Sequence, residues 1–363
     1  MGASGLTGGP SNVHHRAQSV GAMSRFEAVR LTGALWADVA SNLECHGAGY
    51  INGQSGDLCS WRRRQSTDKT YAVFMVRPPV ETIADQLFFT TVFIEALTPT
   101  ARSTGTGFII NYPGENGSTL PVLITNKHVL DGAHQVAFTM AAAENASQPA
   151  SRGTRMVVTG FNAQTWVGHP DSKVDIGAML FGEILKAMVD NGAAPFYRGF
   201  DPEHLATQET ADSLDAIEQI TMIGYPNGLF DQASMLPIAR RGQTATPIFN
   251  DYNNLPAFLI DASVFPGSSG SPVVLYDRGT YTTRDGVTRV GTRMSLLGVV
   301  AAVHTRQVNG VVQMVKAGVA TFDDMIDLGI VFKSSAIQET VFALYGTLGI
   351  SLPVSTGTPG NLA

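Results

Sequence analysis

Three short islands of the sequence hold residue types that can do chemistry together. In Leu123-Ile124-Thr125-Asn126-Lys127-His128-Val129-Leu130 an apolar run turns at a histidine. In Lys173-Val174-Asp175-Ile176-Gly177-Ala178-Met179 a carboxylate opens a strand of small and apolar residues. In Phe265-Pro266-Gly267-Ser268-Ser269-Gly270-Ser271-Pro272 a serine sits in a glycine-rich bend just before the apolar run Pro272–Leu275. A serine hydroxyl is a poor nucleophile at neutral pH and needs a base beside it; histidine suits because its pKa is about 6.5. The histidine in turn needs a carboxylate that fixes its tautomer and stabilises its cation. Attack on an acyl carbon builds an oxyanion, which backbone N–H groups must meet. Gly267 and Ser269 are placed to supply that pair, and Gly270 lets the chain leave the bend without a Cβ clash.

Each island alone has a commoner, non-chemical explanation. A single histidine is usually structural or at the surface, a single Asp caps or ends a strand, and Gly-Ser-Ser-Gly is usually a turn. Their joint appearance, in the order His, Asp, Ser, points to acyl transfer with His128 as base, Asp175 as orienting carboxylate and Ser269 as nucleophile. Asp131 is too close in sequence to His128 to be its partner, and Asp171 is expected to be solvated in the loop before Asp175.

The elements that must position these residues are mostly short strands. From about residue 82, apolar and β-branched runs alternate with Gly, Pro, Asn and Asp turns: Leu87–Ile94, Gly107–Asn111, Pro121–Thr125, Gln135–Thr139 and Met156–Thr159. After a polar, helix-leaning stretch, Pro202–Ile217, come Gln219–Tyr225, Ala257–Asp261, Ser271–Leu275, Ser295–Val303 and Val311–Val315. Many short strands at this spacing predict an all-β sandwich or barrel and disfavour a parallel α/β sheet. Pro202–Ile217 reads as a linker between two barrels. Ser335–Tyr345 carries Ile337, Val341, Phe342 and Tyr345 at helical spacing and reads as a closing helix.

The motifs resemble those of the trypsin-like superfamily, especially its bacterial HtrA-type branch. Thr125-Asn126-Lys127-His128-Val129 is similar to the catalytic-histidine motif, Val174-Asp175-Ile176-Gly177 to the Asp motif, and Gly267-Ser268-Ser269-Gly270-Ser271-Pro272 to the nucleophile motif. Gly105-Thr106-Gly107-Phe108 resembles the strand before the histidine, and Ile223-Gly224-Tyr225-Pro226 a strand end of the second barrel. The resemblance spans roughly residues 82–345. It implies two six-stranded antiparallel β-barrels of chymotrypsin-like fold, a serine endopeptidase acting on protein or peptide substrates, and no cofactor or metal. It also implies a substrate pocket built from Ser263, Phe265, Gly298 and His304. No acidic residue stands there as in trypsin, so a small or apolar substrate side chain is expected, with His304 favouring an acidic one as the alternative. Ser268 occupies the position of the zymogen Asp, so no proteolytic activation step is expected. The segment after Tyr345 is too short for a PDZ domain.

The expected organisation is an accessory, partly disordered segment at 1–81, a peptidase domain at 82–350 and a flexible tail at 351–363. Within the domain, barrel one covers about 82–200, barrel two about 219–334 and the closing helix about 335–347. The 363 residues are 44% hydrophobic and 15% charged, enough to bury a core, with a formal net charge of -6. That balance excludes a dense basic nucleic-acid face; the one basic run, Arg62-Arg63-Arg64, reads as a solvated turn. Cys45 and Cys59 are the two cysteines. They give the main domain no disulfide framework, and with His46 they lack a fourth zinc ligand. No run approaches the ~20 apolar residues of a membrane span, and no secretory signal stands at the start, so a cytoplasmic protein is expected, although an exported mature form would look the same. Two other functions fit the same scaffold: a catalytically silent peptide-binding domain, and an effector gated by residues 1–74.

Overall fold

The computed structural model describes residues 79–114, 117–312 and 318–350. The expectations for residues 1–78, which include Cys45, Cys59 and Arg62–Arg64, lie outside the described residues. So do those for the tail 351–363 and for most of the run Val311–Val315.

The first sheet follows a short helix, α1 (Ile83–Leu87). It comprises β1 (Thr91–Leu97), β2 (Arg102–Pro113), β3 (Thr119–Thr125), β4 (Gln135–Ala143), β5 (Pro149–Thr159), β6 (Val167–Gly168) and β7 (Gly177–Leu180). A one-turn helix, α2 (Lys127–Leu130), joins β3 to β4, and α3 (Gly182–Asp190) follows β7. Hydrogen-bonded order is β5-β4-β1-β2-β3-β7-β6. Instead of a six-stranded barrel, this half is therefore a seven-stranded sheet whose ladder does not close. The extra strand is the two-residue β6, which pairs with β7 across the loop that carries Asp175. Leu87–Ile94 also differs from a continuous strand. Thr82 and Asp85 form a reciprocal capping box, which starts α1, and the chain reaches extended geometry only at Thr91.

After α4 (Gln208–Ser213) come β8 (Gln219–Gly224), β9 (Ile238–Thr244), β10 (Ala257–Asp261), β11 (Pro272–Thr282), β12 (Thr288–Val312) and β13 (Gly318–Lys333). These six close into an antiparallel barrel in the order β10-β13-β12-β11-β8-β9. The chain ends its described part in α5 (Ser334–Leu348), which stops at Gly349 in left-handed geometry with φ 66. The protein thus has a chymotrypsin-like, mostly β fold.

Core burial explains the sequence patterns. In β2, Ile109 points into the first sheet's own core with Ile94, Leu123 and Phe138. Its neighbours Phe108 and Ile110 point the other way, into a seam core shared with Val299 and Phe332 of the barrel. Both faces are buried, so the run is apolar without alternation. The barrel has its own interior of Ile220, Met222, Phe258, Val273, Leu297 and Val331. Helix α5 lays Ile337, Val341, Leu344 and Tyr345 into the seam core and so bridges the two sheets. The Tyr345 and Tyr112 rings meet edge to face at 5.9 Å, and neither hydroxyl has a hydrogen-bond partner among the described residues. Burial pushes the Tyr345 phenol up to about 12.

Two substitutions test this packing. Ile337→Ala is expected to cost about 2–5 kcal/mol, read as a lower urea midpoint at unchanged slope. Tyr345→Phe removes a buried, unpartnered hydroxyl and keeps the ring, so its midpoint is expected to be unchanged or higher. A midpoint lowered as much as by Ile337→Ala would show that the hydroxyl is bonded.

Candidate active site

Strand β3 delivers the chain to Asn126, which is extended and starts α2. The single turn of α2 presents His128 with its side chain about half exposed (51%). The loop between β6 and β7 brings Asp175 to it. The Nδ1 of His128 lies 2.5 Å from Asp175 Oδ2, and the His128 backbone N–H donates to Oδ1 at 3.2 Å. One carboxylate thus holds both ring and backbone, and the ring hydrogen sits on Nδ1, which leaves Nε2 as the acceptor. The buried Asn126 donates through Nδ2 to the Asp175 carbonyl at 2.5 Å, so the two islands are tied twice.

Asp171 is turned elsewhere. Its Oδ1 accepts from the Lys173 N–H at 2.8 Å, its carbonyl accepts from Lys127 Nζ at 3.0 Å, and its N–H donates to His169 Nδ1 at 3.0 Å. The buried His169 therefore carries its hydrogen on Nε2, 3.1 Å from Glu339 Oε2 on α5. Helix α5 anchors the loop that supplies Asp175. Asp131 ends α2, where its N–H donates to the Lys127 carbonyl; it makes no contact with His128 among the described hydrogen bonds.

Ser269 lies in a bend whose two glycines have left-handed backbone, Gly267 at φ 85 and Gly270 at φ 86. A Cβ on Gly270 would collide with the Thr106 carbonyl and lie 2.6 Å from Thr125 Oγ1. The bend therefore sits against the two strands that lead to His128. Thr106 fixes it there: its N–H donates to the Ser269 carbonyl at 2.8 Å and its Oγ1 donates to the Gly267 carbonyl at 2.8 Å. With the Gly267 carbonyl drawn inward, the Gly267 and Ser269 N–H groups make no hydrogen bond among the described residues. Behind Gly267, the Asn227 N–H donates to the Pro266 carbonyl at 2.5 Å. On the far side of the bend, the Gly270 N–H donates to the Val300 carbonyl at 2.8 Å and the Val300 N–H to the Ser271 carbonyl at 2.9 Å. Ser269 Oγ makes no hydrogen bond among the described residues.

The four pocket residues expected from the sequence do not converge equally. Ser263 is half-buried and Phe265 is exposed, both on the segment that leads into Gly267. Gly298 packs inside the barrel, where a Cβ would strike the Phe332 carbonyl. His304 lies on β12 beside a register shift between Val303 and Thr305, and its side chain lies outside the described residues. Sequence reasoning missed Asn126 and Thr106 as fasteners of the site. Both stand inside quoted motifs, but a polar residue within a strand or just after one gives no sign of its partner.

Among solved structures, the chain is similar to a serine endoprotease from Yersinia pestis, at 15% identity and TM-score 0.37, over 73% of this chain and 67% of that one. A thermostable serine protease from an extremophilic microorganism matches at 17% identity and TM-score 0.35, over 72% and 98%. Catalytically active tobacco etch virus protease complexed with product matches at 14% identity and TM-score 0.35, over 62% and 72%. No curated protein matches the chain. The model of the trypsin-like peptidase domain matches residues 105–281, a stretch that holds His128, Asp175, Ser269 and both glycines of the bend. Residues 105–281 of this chymotrypsin-like fold thus match the trypsin-like peptidase domain.

Proposed function

We propose that the protein is a serine endopeptidase with His128, Asp175 and Ser269 as its triad. The observation that carries this reading is the two-point hold of Asp175 on His128, at 2.5 Å to Nδ1 and 3.2 Å to the backbone N–H. It leaves Nε2 as a base, which takes the Ser269 proton as Oγ attacks the peptide carbonyl. The imidazolium that forms is stabilised by Asp175. The Gly267 and Ser269 N–H groups, which make no hydrogen bond among the described residues, receive the oxyanion. His128 then protonates the leaving amine, and water repeats the sequence on the acyl-enzyme. The resulting carboxylic acid leaves from Ser269.

Labelling of the full-length protein with a fluorophosphonate tests the nucleophile. Wild type is expected to label and Ser269→Ala is not. Folded wild type that stays unlabelled would count against the peptidase and favour a silent peptide-binding domain.

The carboxylates are separated by kinetics. Asp175→Asn is expected to lower kcat by about 10³–10⁴-fold, because it leaves the imidazole in the wrong tautomer. Asp171→Asn keeps the backbone groups that meet Lys127 and His169 and is expected to change kcat by less than about tenfold. Equal losses in the two variants would remove Asp175 from the role.

A further inference from the structure

Arg240 stands apart from the other cations of the barrel. Residues paired across antiparallel strands share a face, and Arg240 on β9 pairs with Met222 on β8. Met222 and Ile220 are buried in the barrel interior, so Arg240 leaves its strand on the inner face. Its neighbour Arg241 leaves on the outer face and is exposed. The Arg240 guanidinium carbon lies 4.7 Å over the Phe265 ring. Its Nη1 is buried and has no hydrogen-bond partner among the described residues. Phe265 is two residues before Gly267, which carries one of the proposed oxyanion donors.

The segment that carries Phe265 packs on β13: the Ala262 N–H donates to the Asp327 carbonyl at 3.0 Å, and the Gly329 position packs on Val264 and Ile260. Burial disfavours the charge on Arg240, and Asp327 acts in the opposite sense, yet no ion pair joins them among the described residues. A guanidinium does not give up its proton in a protein. A shielded N–H on a permanent cation therefore calls for an anionic acceptor, and a planar carboxylate matches its fork.

We infer that Arg240 is a specificity-determining residue that receives the carboxylate of an Asp or Glu placed on the acyl side of the scissile bond. The inference rests on the peptidase reading of the site. It replaces the apolar side chain expected from the sequence, and it assigns the acidic preference to β9 and not to His304. Phe265 covers the cationic face of Arg240, and that ring is exposed on the segment that leads into the nucleophile bend.

The test uses full-length protein and an internally quenched peptide library varied at the residue that donates the scissile carbonyl. Wild type is expected to cleave after Glu or Asp with kcat/KM at least about tenfold above Ala, Leu or Lys. Arg240→Met is expected to erase that preference, Arg240→Lys to keep part of it, and Arg240→Glu to turn it toward Lys and Arg. The retained preference of the lysine variant and the reversed one of the glutamate variant separate lost recognition from lost folding. Best cleavage after apolar residues in wild type overturns the inference, as does an acidic preference that survives Arg240→Met and vanishes in His304→Ala. Fluorophosphonate labelling of wild type in parallel separates the two levels: a labelled protein without acidic preference removes Arg240 alone, whereas a folded, unlabelled one removes the peptidase reading and Arg240 with it.

Discussion

The site depends on Thr106, a fully buried residue at the seam between the two sheets. Every polar group it has is used, each on a different piece of the site. Its N–H holds the Ser269 carbonyl and its Oγ1 holds the Gly267 carbonyl. The same oxygen accepts from the Tyr225 N–H at 3.1 Å, and its own carbonyl accepts from Thr125 Oγ1 at 2.7 Å. Thr106 and Thr125 belong to the first sheet; Tyr225, Gly267 and Ser269 belong to the second half of the chain. Displacement of one half against the other would break several of these bonds at once, in an interior where an unmade bond costs about 1–3 kcal/mol. Such a lock matters because reacting groups misplaced by about 1 Å can lose about 10²-fold in rate.

The seam core and α5 hold the two halves close enough for that lock to form. Phe108, Ile124 and Ile176 of the first sheet pack with Val299 and Phe332 of the barrel under Ile337, Val341 and Tyr345 of the helix. The apolar contact is non-directional and brings the halves together; Thr106 then chooses one register. The same helix reaches the Asp175 loop through Glu339 and His169. One C-terminal element therefore supports both the packing and the carboxylate side of the proposed triad.

The residues of the proposed triad were more legible in the sequence than their support. His128, Asp175 and Ser269 stand out because glycines and apolar strands frame them, and the glycine bend signals its left-handed turns directly. Helix α5 was legible from helical spacing and lies at Ser334–Leu348. The capping pair Thr82 and Asp85 was a readable signal for α1, overridden by the apolar run that follows. Strand β9, with its sequence Ile238-Ala239-Arg240-Arg241-Gly242-Gln243-Thr244, reads as polar. Its place in the barrel comes from pairing with β8 and β10, which no local pattern encodes. For that reason Arg240 and Arg241 look like one surface pair in sequence and part to opposite faces in the fold. The first sheet's seventh strand was illegible for a similar reason: two residues, Val167 and Gly168, are too few to show a period.

The ordered backbone leaves little to be arranged when a substrate arrives. The bend that carries the proposed donors Gly267 and Ser269 is held by bonds that already exist, and the His128 ring is oriented by the hydrogen bond at its Nδ1. In the proposed mechanism the remaining freedom is the Ser269 side chain, which has three staggered wells. Choosing one of three equal wells costs about 0.6 kcal/mol, RT ln 3, against the ~7–11 kcal/mol that full orientation of reactants can be worth. Solvent matters more than this rotamer choice. Asp175 is 29% exposed and His128 51% exposed, so water weakens their attraction in the free protein. A peptide lying across the site would displace that water and strengthen the hold of Asp175 on the imidazolium at the moment it forms. In the proposed mechanism the geometry is thus set by the fold, and the dielectric by the substrate.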